Sequence, residues 1–122
     1  MKTFDVNEIQ LKIQSPGITL DQAMESHLIE QIEKIGQTYS RITGCEMLLR
    51  TEKNDKGQNC FIEAKIFIPG HMLFSKQHAE NFQIASSKLF DDLRDQLVRI
   101  KEKMQNKSSD GIDGIESGES FS

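Results

Sequence analysis

The sequence predicts an α+β domain in which two helices pack on one face of a four-stranded mixed sheet, in the order β-α-β-β-β-α. Short segments of alternating apolar and polar residues are typical of strands, and two longer segments with apolar residues at helical spacing are typical of amphipathic helices. Turn motifs separate these segments. A strand–helix–strand start predicts a right-handed crossover between parallel neighbours. Because each helix has one apolar face, both can cover the same side of the sheet.

The first predicted strand and helix occupy the N-terminal third of the chain. Apolar and polar residues alternate over Glu8–Gln14, which indicates a half-buried strand, and Ser15–Gly17 is typical of a turn. Thr19 followed by Gln22 resembles a capping box, so we expect a helix to begin there. The apolar face of this helix consists of Leu20, Met24, Leu28, Ile32, Ile35 and Tyr39.

Three more strands are predicted in the centre of the chain. The alternating segments Cys45–Glu52 and Cys60–Ile68 are joined by the polar segment 53–59, which predicts an antiparallel hairpin. Pro69-Gly70 makes a second turn, and a weaker pattern over His71–Gln77 predicts the fourth strand. The face of the sheet away from the helices, left to solvent or a partner, carries Lys12, Arg50 and Lys65.

The last predicted element is an amphipathic helix over Asn81–Lys107, whose second half is basic. Between residues 94 and 107 there are five Lys or Arg against two acids, a local charge of +3. Asp95 precedes Arg99 by four residues, a spacing that favours an ion pair. The apolar stripe consists of Phe82, Leu89, Leu93, Leu97, Ile100 and Met104. At about 100° per residue, its flanks are basic, with Arg94 and Lys101 on one and Lys88, Arg99 and Lys103 on the other.

Charge divides the chain into two parts. Residues 1–107 carry 15 Lys or Arg and 15 Asp or Glu, whereas residues 108–122 carry four acids and no base and account for the net charge of −4. We therefore expect a single α+β domain over 1–107 and a disordered acidic tail over 108–122. The sequence contains no secretory signal and no apolar segment of membrane-spanning length, so the expected location is cytoplasmic.

Signals for catalysis, metals or disulfides are weak. Cys45 and Cys60 are predicted on adjacent strands at positions roughly 26 Å apart, at ~3.3 Å per residue, so both are expected to be free thiols. The common motifs for nucleotide phosphates, hydrolytic nucleophiles and zinc are absent, so we predict neither enzymatic activity nor a cofactor. His78 and Glu80 form the remaining candidate acid–base pair, which lacks a nucleophile or pocket signature.

Four segments, in their order and spacing, resemble segments of a known family. Residues 18–42, with the ending Tyr-Ser-Arg-Ile, are similar to the family's first helix and its aromatic–x–Arg–Ile ending. Leu48–Lys53 is similar to its second strand, and Ile68–Ser75 to its glycine-containing turn and the next strand. Asp91–Lys103 resembles its basic C-terminal ending. Over residues 8–107 the chain thus resembles the short hibernation-promoting factor and ribosome-associated translation inhibitor family, also called the sigma-54 modulation or S30EA family.

This resemblance implies a protein that binds the small ribosomal subunit in the decoding region and silences idle ribosomes, with no enzymatic activity and no cofactor. Its implied partner is the subunit's ribosomal RNA, contacted through phosphates, with no membrane involved. We expect a monomer away from the ribosome, and another hibernation factor if ribosomes are to pair. The RNA-binding residues carried over by position are Lys34, Arg41, Arg50, Lys53, Arg99, Lys101 and Lys103, to which Lys88 and Arg94 are added as basic residues of the second helix without a strict counterpart.

Two alternatives remain open from the sequence. Where the family often has basic residues, this chain has Glu25, Gln31, Asp92 and Asp95. A protein-interaction module of the same fold that has lost RNA binding is therefore the first alternative. A small enzyme that uses the histidine and glutamate at positions 78 and 80 is the second.

Overall fold

Seven elements of secondary structure form in residues 1–55 and 57–109, which are the residues that this computed structural model describes. In chain order they are β1 (Lys2–Val6), β2 (Ile9–Gln14), α1 (Gln22–Thr38), β3 (Gly44–Asn54), β4 (Gly57–Ile68), β5 (His71–Ala79) and α2 (Phe82–Ser109). The strands form one sheet in the order β1-β2-β3-β4-β5. Among the described strands only β2 and β3 pair in parallel, which confirms the predicted parallel neighbours on either side of α1. The α+β class is confirmed, but the sheet has five strands and the prediction of four was wrong.

The additional strand, β1, forms a hairpin with β2 through a two-residue loop. Val6 pairs with Ile9, and the loop residues Asn7 and Glu8 both have positive φ, at 51° and 70°. Positive φ at both central residues is the geometry of a type I′ turn, in which these residues are usually Asn-Gly or Asp-Gly. This loop has no glycine, so the usual sequence signal of the hairpin is missing.

The core lies between the sheet and the two helices, as predicted. One row of paired residues crosses four strands as Leu11, Cys45, Ile66 and Leu73, all buried. The helices cover this face with two sets of buried residues, Leu28, Ile32 and Ile35 from α1 and Leu89, Phe90, Leu93 and Leu97 from α2. Each fully buried side chain of this size stabilises the fold by about 1.5–3 kcal/mol.

Helix α1 begins two residues later than predicted. Its N-cap is Asp21, whose Oδ1 accepts a hydrogen bond of 2.7 Å from the backbone N–H of Met24, so the predicted capping box at Thr19 is wrong. Carboxylates are among the preferred N-caps because they also favour the positive end of the helix dipole. Near its other end, Gly36 lies so close to β2 that a Cβ there would be 2.7 Å from Cδ1 of Ile9. Glycine at this position therefore lets α1 approach the sheet closely.

Helix α2 agrees closely with its prediction. The side chain of Asn81 accepts a hydrogen bond of 2.8 Å from the backbone N–H of Ile84, which caps the helix start. The helix continues to Ser109, two residues past the predicted end of the domain at residue 107. Most of the predicted acidic tail, from residue 110 onward, lies outside the described residues.

The β3–β4 hairpin is longer than predicted. Asn54 pairs with Gly57, so most of the predicted polar linker 53–59 is strand rather than loop. Cys60 pairs with Thr51, which puts Cys45 six residues further along β3, ~20 Å away at ~3.3 Å per residue rather than the expected ~26 Å. Both cysteines are free, as predicted.

Candidate nucleic-acid interface

Four of the nine predicted RNA-binding residues lie along the groove between the two helices. Nη2 of Arg94 on α2 donates a hydrogen bond of 2.6 Å to Oε1 of Gln31 on α1. Lys34 follows Gln31 by three residues and therefore lies one turn further along the same face of α1. Arg41 and Lys101 line one cleft where α1 ends against α2. We call the surface formed by Lys34, Arg41, Arg94 and Lys101 the interhelical groove.

One acidic residue of α1, Glu25, is directed away from this groove. Nζ of Lys2 on β1 donates to Oε2 of Glu25 at 2.7 Å, so Glu25 lies on the side of α1 that faces β1. At 100° per residue, Glu25 is about half a turn around the helix from Lys34. Glu25 is thus directed away from the groove, whereas Glu30 precedes Lys34 by four residues and lies on the same side of α1.

A second basic set, the outer flank of α2, is separate from the groove. It consists of Lys88, Arg99 and Lys103, which are exposed. The predicted ion pair between Asp95 and Arg99 is wrong, since the ion pairs among the described residues do not include it. An exposed pair at this spacing gains only about 0.3–0.5 kcal/mol, too little to hold two mobile side chains together. The guanidinium of Arg99 thus stays exposed to solvent.

The two remaining predicted residues, Arg50 and Lys53, lie on β3, apart from both helical surfaces. Arg50 lies on the sheet face away from the helices, with its guanidinium carbon 4.6 Å from the ring centroid of Phe61 and its Nη1 paired with Glu52. Lys53 is three residues further along the same strand, so the alternation of side chains directs it to the other face. The structure therefore does not bring Arg50 and Lys53 together with the groove.

Three positions where the family often has basic residues serve internal contacts in this chain. Glu25 pairs with β1, and Gln31 joins the two helices through Arg94. The half-buried Asp92 accepts hydrogen bonds at Oδ2 from Oγ of Ser75, at 2.6 Å, and from Nε2 of Gln96, at 3.0 Å. Lys2 neutralises Glu25 and Gln31 is uncharged, whereas Asp92 accepts from neutral groups and keeps its negative charge.

A cleft at the C-terminal end of α1 was missed by the sequence analysis, which assigned Tyr39 only to the apolar face of the helix. Its volume is about 280 Å³. Nζ of Lys101 lies 5.7 Å from the centroid of the Tyr39 ring, a cation–π contact across the cleft. We call it the Tyr39 cleft, and it is lined by Thr38, Tyr39, Ser40, Arg41, Ile68, Leu97, Ile100 and Lys101. Among the described residues, no acidic side chain lines it.

The open face of the sheet is mixed in character. Lys12 pairs with Glu46, which pairs with Lys65, so basic and acidic side chains alternate across the strands. Two large apolar side chains on this face are well exposed, Met72 at 52% and Phe74 at 45%. This face lacks the excess of positive charge that the interhelical groove has.

The surroundings of His78 and Glu80, the candidate acid–base pair, do not favour catalysis. The ring of His78 stacks on Phe61 with centroids 5.3 Å apart. Burial, with a smaller effect from Glu46, raises the pKa of the Cys45 thiol to about 12, and burial also raises the pKa of Cys60, so neither is a ready nucleophile.

Within the described part of the chain there is no group of three or more His, Cys, Asp or Glu that could hold a metal ion. No helix in that part is long and apolar enough to cross a membrane.

Comparison with known proteins gives the family. The fold is similar to a ribosomal subunit interface protein from Coxiella burnetii, with a TM-score of 0.66 and 14% identity over 75% of this chain and 97% of that one. It is also similar to the N-terminal domain of Protein Y from Thermus thermophilus, with a TM-score of 0.58 and 13% identity over 73% and 94%. A comparison with curated proteins found no match. The family described as sigma 54 modulation protein / S30EA ribosomal protein matches residues 11–105, most of the chain, and confirms the resemblance: this protein belongs to that family.

Proposed function

We propose that this protein binds the RNA of the small ribosomal subunit in the decoding region and silences idle ribosomes, as an RNA-binding protein rather than an enzyme. Membership of a family whose description includes a ribosomal protein supports this proposal, as does the similarity in fold to a ribosomal subunit interface protein. The observation that carries it is the interhelical groove, where basic residues from two helices converge while Glu25 of α1 faces β1.

The groove suits a phosphate backbone. Arg94 and Lys101 are seven residues apart on α2, about 10 Å along the axis at 1.5 Å per residue, which is a span of a few phosphates. Lys34 and Arg41 extend the positive surface onto α1 and the residues that follow it. Phosphate contacts of this kind position a protein on RNA and make its affinity fall steeply with salt. The outer flank of α2, with Arg50 and Lys53, supplies further contacts in this proposal.

Sedimentation with purified small subunits, large subunits and whole ribosomes across a salt series tests the proposal. We expect retention on small subunits and whole ribosomes that weakens steadily as salt rises. Replacing both Lys34 and Lys101 with glutamine should lower the slope of log affinity against log salt by about 1.4–1.8, because each lost phosphate contact lowers it by ~0.7–0.9.

The matched control removes two lysines from the opposite side of the molecule. Lys12→Gln with Lys65→Gln changes the net charge by the same amount on the part of the open sheet face around Glu46, four residues along β3 from Arg50. The slope of this control should stay at the wild-type value. Equal losses in the two double variants would mean that overall charge governs binding and would refute the groove as the site.

The alternative function is a protein-interaction module of the same fold that has lost RNA binding. The exposed Met72 and Phe74 on the open sheet face favour it, because large apolar side chains grouped on a surface often contact a protein. The same sedimentation experiment distinguishes the two functions. Absence of retention at low salt, where phosphate contacts are strongest, would reject the RNA-binding proposal in favour of this alternative.

A further inference from the structure

We propose that the Tyr39 cleft receives one unstacked nucleotide of single-stranded RNA, with its base against the Tyr39 ring and its phosphate between Arg41 and Lys101. This inference rests on the proposed function and adds to it a contact that reads an unpaired nucleotide rather than the backbone alone. Recognition of single-stranded RNA commonly combines aromatic side chains that stack on bases with cations that hold the neighbouring phosphates.

The size and the lining of the cleft suit one nucleotide. Its apolar wall is formed by the buried Ile68 and Leu97 and by the half-buried Ile100, beside the half-buried ring of Tyr39. The cleft volume of about 280 Å³ is close to the lower end of the ~300–1,000 Å³ typical of small-molecule pockets, a size that suits one base and its sugar. The lining also includes the hydroxyls of Ser40 and Thr38, polar partners for a sugar, although that of Thr38 already donates to the carbonyl of Lys34.

The charge of the cleft selects an anionic occupant. Arg41, which follows α1, and Lys101 on α2 both line it, and its described lining contains no carboxylate. Nζ of Lys101 now lies over the Tyr39 ring at 5.7 Å. The ammonium covers the aromatic face in the absence of RNA. Because its stem is flexible, it can move from the ring to a phosphate and leave that face to a base.

Two features favour single-stranded RNA over a duplex or a polyanion. A base must leave its stack before it can enter the cleft, and only an unpaired nucleotide does so at small cost. The cleft also continues the interhelical groove, since Arg41 and Lys101 belong to both. A strand whose phosphates follow the groove therefore delivers its end nucleotide, or a looped-out one, to Tyr39.

Tyrosine fluorescence reports on this site directly, because Tyr39 is the only tyrosine and the chain has no tryptophan. The full chain is titrated with a short oligouridine, the same length of RNA duplex, uridine monophosphate and inorganic polyphosphate. We expect the oligouridine to quench the emission at low salt, while the duplex and the polyphosphate bind the groove without quenching. Quenching by polyphosphate as strong as by oligouridine would mean that charge alone alters the emission, and would overturn the inference. Quenching by the mononucleotide at the same concentration as by the strand would assign the cleft to a free nucleotide instead, with the same consequence.

Variants separate stacking from charge. Tyr39→Ala should weaken binding of the oligouridine about 5- to 150-fold without changing the salt slope, because base–aromatic stacking is lost and phosphate contacts remain. Tyr39→Phe, which keeps the ring, should bind nearly as the wild type does. Phe74→Ala is the matched control, since it removes an exposed aromatic ring from the open sheet face and should leave affinity unchanged. Circular dichroism verifies that each variant is folded. If Tyr39→Ala does not fold, the fluorescence titration of the wild-type protein still tests the inference.

The failure of this inference differs from the failure of the proposed function. Salt-dependent retention on small subunits together with full affinity of Tyr39→Ala for RNA would leave the proposed function standing and reject the nucleotide site. Quenching by oligouridine in a protein that does not sediment with small subunits would reject the ribosomal function and retain the cleft as an RNA site. Loss of both would reject both.

Discussion

Replacing Asp92 with alanine should destabilise the domain by about 2–3 kcal/mol. Asp92 lies between α2 and β5, where its Oδ2 accepts hydrogen bonds from the hydroxyl of Ser75 and from Nε2 of Gln96. Ser75 is only 3% exposed, so its hydroxyl cannot turn to water when the carboxylate is removed. The variant therefore loses a hydrogen bond that holds α2 against β5, the strand at the edge of the sheet.

The magnitude follows from the bonds that are lost. A hydrogen bond to a charged acceptor contributes about 1.5–3 kcal/mol, and a buried donor left without a partner costs about 1–3 kcal/mol. Gln96 keeps a second acceptor, the backbone carbonyl of Phe74 at 2.9 Å, so its share of the loss is small. Asp92→Asn retains an acceptor oxygen without the charge and should cost only about 1 kcal/mol.

Urea denaturation followed by circular dichroism measures these differences, provided that the slope of the free energy with urea is the same in all variants. The double variant Ser75→Ala, Asp92→Ala should lose about 1 kcal/mol less free energy of unfolding than the two single variants lose together, because no buried hydroxyl is then left without its acceptor. A loss below about 0.5 kcal/mol for Asp92→Ala, or strict additivity in the double variant, would refute the reasoning.

Two further predictions concern the core and the thiols. Leu93→Ala should cost about 2.7–5 kcal/mol in urea unfolding because Leu93 is fully buried in the core, whereas Val98→Ala on the same helix, with Val98 42% exposed, should change stability by less than about 0.5 kcal/mol. Since burial raises the pKa of both Cys45 and Cys60, little thiolate forms near pH 8, and a disulfide reagent should label the native protein far more slowly than the urea-unfolded chain. Rapid labelling of either thiol in the native state would contradict that burial.

The sequence was sufficient for the elements that have strong periodicity. Both helices, the parallel crossover and three central strands follow from apolar spacing, because one buried face imposes a period on each element. Strand β1 escaped this reasoning because only Phe4 and Val6 mark its inner face and its turn uses Asn7-Glu8 without glycine. Edge strands bury little and need little pattern, so they are the elements that periodicity detects least well.

Periodicity predicted where single residues of the candidate site lie on their helix, but not how these residues are grouped. Helical periodicity placed Arg94 and Lys101 on one flank of α2, and the structure adds that this flank faces α1. The partner of Gln31 is 63 residues away in the chain, and the lining of the Tyr39 cleft comes from three separate segments. Contacts between distant segments depend on how the elements pack, which no local pattern encodes.

The parallel pairing of β2 with β3 has a consequence for how the chain assembles. The meander β3-β4-β5 joins neighbours through short turns, so its pairings close small loops and can form early. Strand β2 can join it only after the chain has passed through α1 and returned, a crossover that closes a much longer loop. Strand β2 is therefore expected to join last, and β1, at the edge of the sheet, to detach first. In hydrogen exchange, amides of β3 and β4 should remain protected longest, while the edge formed by β1 opens by local unfolding without disrupting the surfaces built on the helices.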